Sequence, residues 1–277
     1  MKKIGPFEFD TSPSTMKYGY YLKCDFDVPF SRKKRTVRVW LPEDYDFNNP
    51  NKRFSVAYFS DGQNLVNKNL TKFGCWDLDK VCHNLLNNSD ISFIGVGIDS
   101  PADDLERNNE LTPPILPDRE ANTTNPRANL FIDFICNTLK PIIDECFYTL
   151  KDRETTAIAG SSMGGLMAFY GGVERSDVFG FALCFSPAFL VYYQKHWKEI
   201  LKEIDDKINK KTKFYFYVGG VEFEKWFVSL TLATYKYLKK LGFNDREIRY
   251  INDPSMPHHE IAWNKYLGDA IEFWLKN

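Results

Sequence analysis

A serine set among glycines carries the strongest chemical signal in this chain. The pattern Gly160-x-Ser162-x-Gly164, with Gly165 next, lies between a strand-forming run, residues 155 to 159, and an apolar stretch with helical spacing. At a sharp turn from strand to helix, the serine hydroxyl is pushed out above the sheet, and side chains two residues before or after it would collide. The new helix also offers its N-terminal amides and positive dipole end to a developing oxyanion. The pattern predicts that Ser162 is a nucleophile. The alternative is a glycine-rich turn that only packs a helix against a sheet.

A nucleophilic serine needs a histidine to accept its proton, and we expect that histidine further along the chain. Downstream of Ser162 the histidines are His196, His258 and His259. His196 lies among charged residues on a predicted helix surface, so we interpret it as an exposed residue. His258 and His259 lie in a loop, residues 253 to 260, between the last predicted strand and the closing helix. The base is therefore expected within this pair.

An acidic partner for the histidine is expected after the predicted strand at residues 213 to 218. Two glutamates, Glu222 and Glu224, follow the glycine turn there, and Asp253 lies in the loop of the histidine itself. Glu222 is favoured because it is the first carboxylate after the turn, at the carboxyl edge of the sheet. The alternative for either glutamate is a carboxylate that complements the N-terminal dipole of a helix.

The second half of an oxyanion hole is expected after an earlier strand. Residues 54 to 59 form a candidate buried strand that ends in a polar turn with Asp61, Gly62 and Gln63. Because Gly62 permits a close backbone approach, the amides of Gln63 and Met163 are predicted to face the substrate oxygen. The alternative is an Asx-type turn without a ligand.

The elements that must position these residues follow from the hydrophobic pattern. Runs of strand length alternate with helical patterns, which predicts an α/β fold with a mostly parallel central sheet and helices on both faces. Residues 1 to 41 are predicted to be antiparallel lead-in strands, and residues 99 to 126 and 187 to 212 pocket-shaping loops or cap segments. Since no repeat, low-complexity tract or linker interrupts the pattern, we predict a single domain over residues 1 to 277.

The composition argues against nucleic acid, membranes, metals and cofactors as expected partners. With 36 basic and 37 acidic residues the formal net charge is −1, so neither nucleic acid nor an anionic membrane is an expected partner. The sequence has no apolar stretch of membrane-spanning length, and because no apolar run follows its first charged residues we do not expect them to act as a signal peptide. Six cysteines without CxxC spacing are interpreted as reduced, mostly buried thiols of a cytoplasmic protein. Four histidines leave little material for a metal site, so neither a metal nor a cofactor is expected.

The chain resembles the Putative esterase family of α/β-hydrolases, which includes siderophore esterases, S-formylglutathione hydrolases, and feruloyl and acetylxylan esterases. The resemblance lies in ordered sequence blocks that span roughly residues 36 to 275: Asp61-Gly62-Gln63-Asn64-Leu65, Val96-Gly97-Ile98-Asp99, Arg107-Asn108-Asn109-Glu110-Leu111-Thr112-Pro113, Ala159-Gly160-Ser161-Ser162-Met163-Gly164-Gly165-Leu166, Val218-Gly219-Gly220-Val221-Glu222 and His258-His259-Glu260-Ile261-Ala262-Trp263. It implies an α/β-hydrolase fold with antiparallel N-terminal strands. It also implies a nucleophile at Ser162, an acid at Glu222 and a base at His258, the first of the pair.

The function that this resemblance implies is hydrolysis of a small-molecule carboxylic ester through an acyl-enzyme. An acyltransferase would use the same residues with an acceptor other than water, and a non-catalytic binding module on the same fold is the remaining alternative. Arg107 and Glu110, in the segment from 99 to 126, are expected to form an internal ion pair that holds this loop. The alternative is that they contact the substrate.

Overall fold

One sheet of ten strands forms the centre of the molecule. The computed structural model describes residues 3–11, 16–31, 33–71, 74–115, 124–208 and 212–276, with the backbone alone at 193–195. Within these residues the strands are β1 (Lys3–Ile4), β2 (Phe7–Phe9), β3 (Tyr20–Phe26), β4 (Arg35–Leu41), β5 (Ser55–Ser60), β6 (Phe93–Ile98), β7 (Thr156–Ser161), β8 (Phe181–Phe185), β9 (Lys213–Val218) and β10 (Ile248–Asn252).

The order of the strands across the sheet is β1-β2-β3-β4-β6-β5-β7-β8-β9-β10. Strands β1 to β4 are antiparallel to one another, and β4 is antiparallel to β6. Every neighbouring pair from β6 to β10 is parallel. The predicted sheet, mostly parallel with antiparallel N-terminal strands, is confirmed.

Helices cover both faces of this sheet. In the described part of the chain they are α1 (Leu78–Ser89), α2 (Asp104–Leu111), α3 (Ala128–Phe134), α4 (Lys140–Cys146), α5 (Met163–Glu174), α6 (Tyr193–Glu203), α7 (Lys225–Lys240) and α8 (Glu260–Leu275), with a π turn, Ile135–Leu139, between α3 and α4. None of these helices combines the length and the apolar character needed to cross a membrane.

Alternate residues of the buried strands belong to two separate hydrophobic cores, because successive side chains of a strand point to opposite faces of the sheet. In β9, Phe214 and Phe216 pack on the face covered by α3, α5, α6 and α7. Tyr215 and Tyr217 pack on the other face, which α1 and α8 cover. This two-sided burial is why the central strands are almost uninterrupted apolar runs in the sequence.

The two segments predicted as pocket-shaping loops or cap segments both contain helices. Residues 99 to 126 hold α2, and residues 187 to 212 hold a 3₁₀ turn, Phe189–Tyr192, followed by α6. Helix α2 lacks an apolar stripe because buried polar groups hold it: Arg35 of β4 donates to Glu110 at 2.6 Å, and Asp103 caps its first turn. A helix held in this way leaves no hydrophobic period to detect.

Candidate active site

Ser162 occupies the tight turn between β7 and α5. Its backbone has φ 58° and ψ −120°, a region that residues other than glycine seldom occupy. Three backbone hydrogen bonds hold this conformation: the Ser162 amide donates to Phe185 at 2.9 Å, and the Ser162 carbonyl accepts from Leu166 at 3.1 Å and Ala188 at 3.0 Å. The strained turn is therefore fixed from both the helix and the neighbouring strand β8.

The glycines around Ser162 are required by close contacts. A Cβ atom on Gly160 would lie 2.5 Å from the Ser60 hydroxyl oxygen and 2.6 Å from the Gly164 carbonyl carbon. A Cβ atom on Gly165 would lie 2.7 Å from the Phe185 carbonyl oxygen. Real Cβ atoms do not approach this closely, so the steric reason given for the glycine pattern holds in the structure.

His258 lies beside a buried carboxylate. Its Nδ1 donates to Oε2 of Glu224, since an ionised carboxylate can only accept. The other oxygen, Oε1, accepts from the Gly219 amide at 2.7 Å and from the Ser186 hydroxyl at 2.5 Å. Glu224 is fully buried, so these contacts replace its hydration and leave the carboxylate one orientation.

The expectation that Glu222 is the partner of His258 is corrected by this contact. After β9 the chain makes a 3₁₀ turn, Glu222–Glu224, closed by the Glu224 amide donating to Val221 at 3.0 Å. With about three residues per turn, side chains two apart on such a turn point in different directions. Glu224 faces back toward β9, whereas Glu222 is exposed and has φ 52°.

Asp253, the third candidate acid, is engaged elsewhere. Its carboxylate accepts from the Ser255 hydroxyl at 2.6 Å, from Tyr266 at 2.6 Å and from Lys265 at 2.9 Å. These hydrogen bonds, that of Ser255 first, hold the pKa of Asp253 below its usual range. Asp253 therefore ties the histidine loop to α8.

Ser186 and Trp263 complete the surroundings of the Glu224–His258 pair, although the sequence pattern marks neither as a site residue. The Trp263 indole donates to the Ser186 hydroxyl at 2.9 Å, which in turn donates to Glu224. Trp263 also packs edge-on against His258, with ring centroids 5.2 Å apart. One signal for Ser186 was present, since it directly follows the buried strand β8 at the carboxyl edge of the parallel sheet.

The predicted oxyanion turn follows β5 as a 3₁₀ turn, Gly62–Asn64. The side chain of Gln63 bonds Ser100 twice, donating at 2.8 Å and accepting at 3.0 Å. Met163 is the first residue of α5, so its amide has no acceptor within the helix. Among the described residues, neither the Gln63 amide nor the Met163 amide donates to another backbone group. Neither amide would therefore have to give up a backbone acceptor to bind an external oxygen.

A pocket of about 660 Å³ lies beside the serine turn, the histidine loop and the turn after β5. Its lining combines Ser162, His258 and Gln63 with charged side chains, namely Arg38, Asp61, Asp99, Asp104, Arg107 and Glu260. Arg107 and Glu110 do not pair with each other as expected, because Arg107 binds Asp61 and Glu110 binds Arg35. Burial lowers the pKa of the Arg107 guanidinium, but the charge and hydrogen bonds of Asp61, together with the charges of Asp104 and Glu260, raise it above its usual value. Burial raises the pKa of Glu260.

The parallel sheet with its antiparallel lead-in strands and the serine turn define an α/β-hydrolase. Residues 31–222 match the model of the family described as Putative esterase, and the chain belongs to that family. It is accordingly a carboxylic ester hydrolase. No curated protein matches the chain.

Several solved structures share this fold at low sequence identity. The enterobactin esterase FES from Shigella flexneri is 16% identical with a TM-score of 0.73, over 96% of this chain and 61% of that one. The siderophore hydrolase EstB from Aspergillus nidulans is 18% identical with a TM-score of 0.69, over 92% and 94%. The ferulic acid esterase AmCE1/Fae1A from Anaeromyces mucronatus is 18% identical with a TM-score of 0.63, over 100% of both chains.

Proposed function

We propose that this esterase works through an acyl-enzyme, with Ser162 as nucleophile, His258 as general base and Glu224 as the acid that orients the base. The observation that carries the proposal is the hydrogen bond from His258 to the buried carboxylate of Glu224, since His258 and Ser162 line the same pocket. Because Glu224 engages Nδ1, it fixes the tautomer of His258 and leaves Nε2 to exchange a proton with Ser162.

The reaction then runs in two halves. Ser162 Oγ attacks the carbonyl carbon while His258 Nε2 takes the hydroxyl proton, and the carbonyl electrons move to an oxyanion held by the amides of Met163 and Gln63. Collapse of this intermediate breaks the ester C–O bond, and the leaving alcohol takes the proton from His258. A water molecule, deprotonated by His258, then attacks the acyl carbon and forms a second tetrahedral intermediate. Its collapse breaks the bond between the acyl carbon and Ser162 Oγ, which takes the proton from His258, and the carboxylic acid leaves.

The pocket supports a small-molecule ester as the substrate. Its volume of about 660 Å³ falls within the range typical of small-molecule sites. Since similar structures include a ferulic acid esterase and a siderophore hydrolase, feruloyl and siderophore esters belong in the first substrate panel. That panel also takes p-nitrophenyl esters of graded chain length, acetylated sugars and S-formylglutathione.

Covalent labelling tests the assignment of the nucleophile and the base. A fluorophosphonate is expected to label Ser162, and Ser162→Ala to abolish labelling and lower kcat by on the order of 10³-fold or more. His258→Ala is expected to cost about as much, because nucleophile and base act as a unit. His259→Ala is the matched control. Its ring accepts from the Ile261 amide at 3.2 Å at the start of α8, so its loss is expected to affect stability by about 1 kcal/mol and activity little.

Persistent labelling of Ser162→Ala would refute the nucleophile, and a larger loss of activity in His259→Ala than in His258→Ala would refute the base. Absence of both labelling and turnover in the unmodified protein would favour a non-catalytic binding module. An acyltransferase would show itself by transferring the acyl group to an added alcohol in preference to water.

We also propose a cytoplasmic location, supported by the thiols. All six cysteines are free, and Cys75, Cys82, Cys136 and Cys184 are buried. Unpaired thiols are typical of a reducing compartment. Localisation of the tagged protein by fractionation tests this proposal directly.

A further inference from the structure

The side chain of Arg107, in α2, binds the turn that carries Gln63. Arg107 donates from Nε to Oδ1 of Asp61 and from Nη2 to Oδ2, both at 2.7 Å. Such a two-pronged contact fixes the plane of the carboxylate as well as its position. Asp61 is buried, and its ion pair with Arg107 supplies the compensation that a buried carboxylate needs.

Asp61, the residue that Arg107 binds, has an unfavourable backbone conformation. Asp61 has φ 56° and ψ 48°, the left-handed region, which aspartate adopts more readily than most residues but at a cost. This conformation turns the chain sharply between β5 and Gln63. Gly62 follows, and a Cβ atom there would lie 2.5 Å from the Gly97 carbonyl carbon, so the turn lies directly against β6.

Helix α2, which carries Arg107, is itself held at both ends. At the far end of α2, Glu110 is buried and accepts from Arg35 of β4 at 2.6 Å. At its start, Asp103 accepts from the Glu106 amide at 2.9 Å as a helix cap. Because both ends of this short helix are held, Arg107 is presented to Asp61 from a defined position.

We infer that Arg107 is a positioning residue for the oxyanion hole: by holding Asp61 in the left-handed conformation, it places the Gln63 amide where the tetrahedral oxyanion forms. The inference rests on the proposed function. Displacement of an oxyanion donor destabilises the transition state more than the bound substrate. It therefore lowers kcat and changes KM little. The Gln63–Ser100 contacts hold the side chain of Gln63, while Arg107 acts on the backbone before it.

Arg107 also lines the pocket, so direct binding of an anionic substrate is the competing role. Two of its donor groups are already used by Asp61, and that carboxylate balances its charge. A substrate-binding arginine would affect KM, most strongly for anionic esters, whereas a positioning arginine affects kcat for neutral esters as well.

Steady-state kinetics on the neutral ester p-nitrophenyl acetate separate these roles. Arg107→Met is expected to lower kcat by about 10- to 100-fold with KM within about 2-fold, somewhat less than the loss of an oxyanion donor. Inhibition by a trifluoromethyl ketone, which forms a tetrahedral adduct with a catalytic serine, is expected to weaken in parallel. Adding Asp61→Gly to Arg107→Met is expected to restore part of kcat. Glycine adopts the left-handed conformation freely and leaves no unpaired buried carboxylate.

Arg175→Met is the matched control, because it removes another two-pronged contact between an arginine and an aspartate, here with Asp177, that lies outside the pocket. It is expected to change the thermal midpoint little and to leave kcat within about 3-fold. Arg107→Lys, which keeps the charge but not the planar fork, is expected to fold and to give an intermediate kcat. An unchanged kcat in both Arg107 variants, or a raised KM with unchanged kcat, would overturn the inference. Failure of the unmodified protein to be labelled at Ser162 would instead overturn the proposed function.

Discussion

Glu224 shows how one carboxylate is selected from three nearby candidates. Its Oε1 is held by the Gly219 amide and by Ser186, and only Oε2 is left for His258. A carboxylate held in this way keeps a neighbouring imidazole in one tautomer and stabilises the imidazolium that forms during the reaction. Position relative to the glycine turn suggested Glu222. The local 3₁₀ geometry, which the sequence pattern does not specify, selects Glu224 instead.

At this scale we predict that Glu224→Gln lowers kcat by on the order of 10³-fold, because the amide cannot stabilise the imidazolium and favours the wrong tautomer. Glu222→Gln, an identical change two residues away on an exposed side chain, is expected to leave kcat within about 2-fold. Parallel measurement of kcat and of the thermal midpoint for both variants checks the expectation. Equal losses in the two variants, or a larger one in Glu222→Gln, would return the role to Glu222.

At the scale of elements, the contact between β5 and α5 depends on a missing side chain. Gly164 lies in the first turn of α5, and a Cβ atom there would collide with the Ser60 hydroxyl. Because Ser60 ends β5 directly before the turn that carries Gln63, crowding at Gly164 would disturb both halves of the proposed oxyanion hole. Gly268 in α8 is a contrasting case, since the nearest atoms to its Cβ would be Val81 Cγ1 at 3.9 Å and Leu85 Cδ2 at 4.0 Å.

We predict opposite outcomes for the same substitution in these two helices. Gly164→Ala is expected to destabilise the protein by about 1–3 kcal/mol through overpacking and to lower kcat. Gly268→Ala is expected to stabilise it by about 0.5–1 kcal/mol, because alanine favours the helix and fits without contact strain. Urea unfolding and kcat measured on both variants provide the check. A stabilising Gly164→Ala would show that α5 can move away from β5 without loss.

The elements also show which structure the sequence pattern could and could not predict. Strand β7 and the turn at Ser162 were predictable, because an apolar strand, small residues and an apolar helix follow one another without interruption. Helix α2 was missed because the buried Arg35–Glu110 pair and a cap stabilise it in place of an apolar face. The pairing of Arg107 with Asp61 joins two distant segments, which no local pattern specifies.

At the scale of the whole molecule, the strand order assembles the site. Gln63, Ser162, Ser186, Glu224 and His258 follow β5, β7, β8, β9 and β10 respectively, and these strands are consecutive neighbours in the sheet. Since the five strands are parallel, their carboxyl ends lie along one edge and deliver the residues side by side. The site therefore depends on the register of half the sheet, and its integrity follows that of the core.

Buried cysteines lie throughout that core, so the rate at which their thiols react measures how readily the core opens. Cys82 and Cys184 are fully buried, and burial raises the pKa of each well above the ordinary value. Cys24 and Cys146 are partly exposed, and burial raises their pKa as well, so a smaller fraction is thiolate at a given pH than in a free cysteine. Reaction with a disulfide reagent requires both access and thiolate.

We predict that the native protein at pH 8 reacts with Ellman's reagent slowly and at no more than two thiols, those of Cys24 and Cys146. The remaining four of the six require unfolding, because they lie buried. Cys24→Ser/Cys146→Ser is expected to abolish the native reaction, while protein unfolded in guanidinium reacts at every remaining cysteine at once. The urea dependence of labelling at Cys184, in the centre of β8, should match the unfolding curve followed by tryptophan fluorescence. Rapid labelling of Cys184 in native conditions would show that the strands carrying Ser162 and Glu224 separate locally, and that the site is not held by the sheet as a unit.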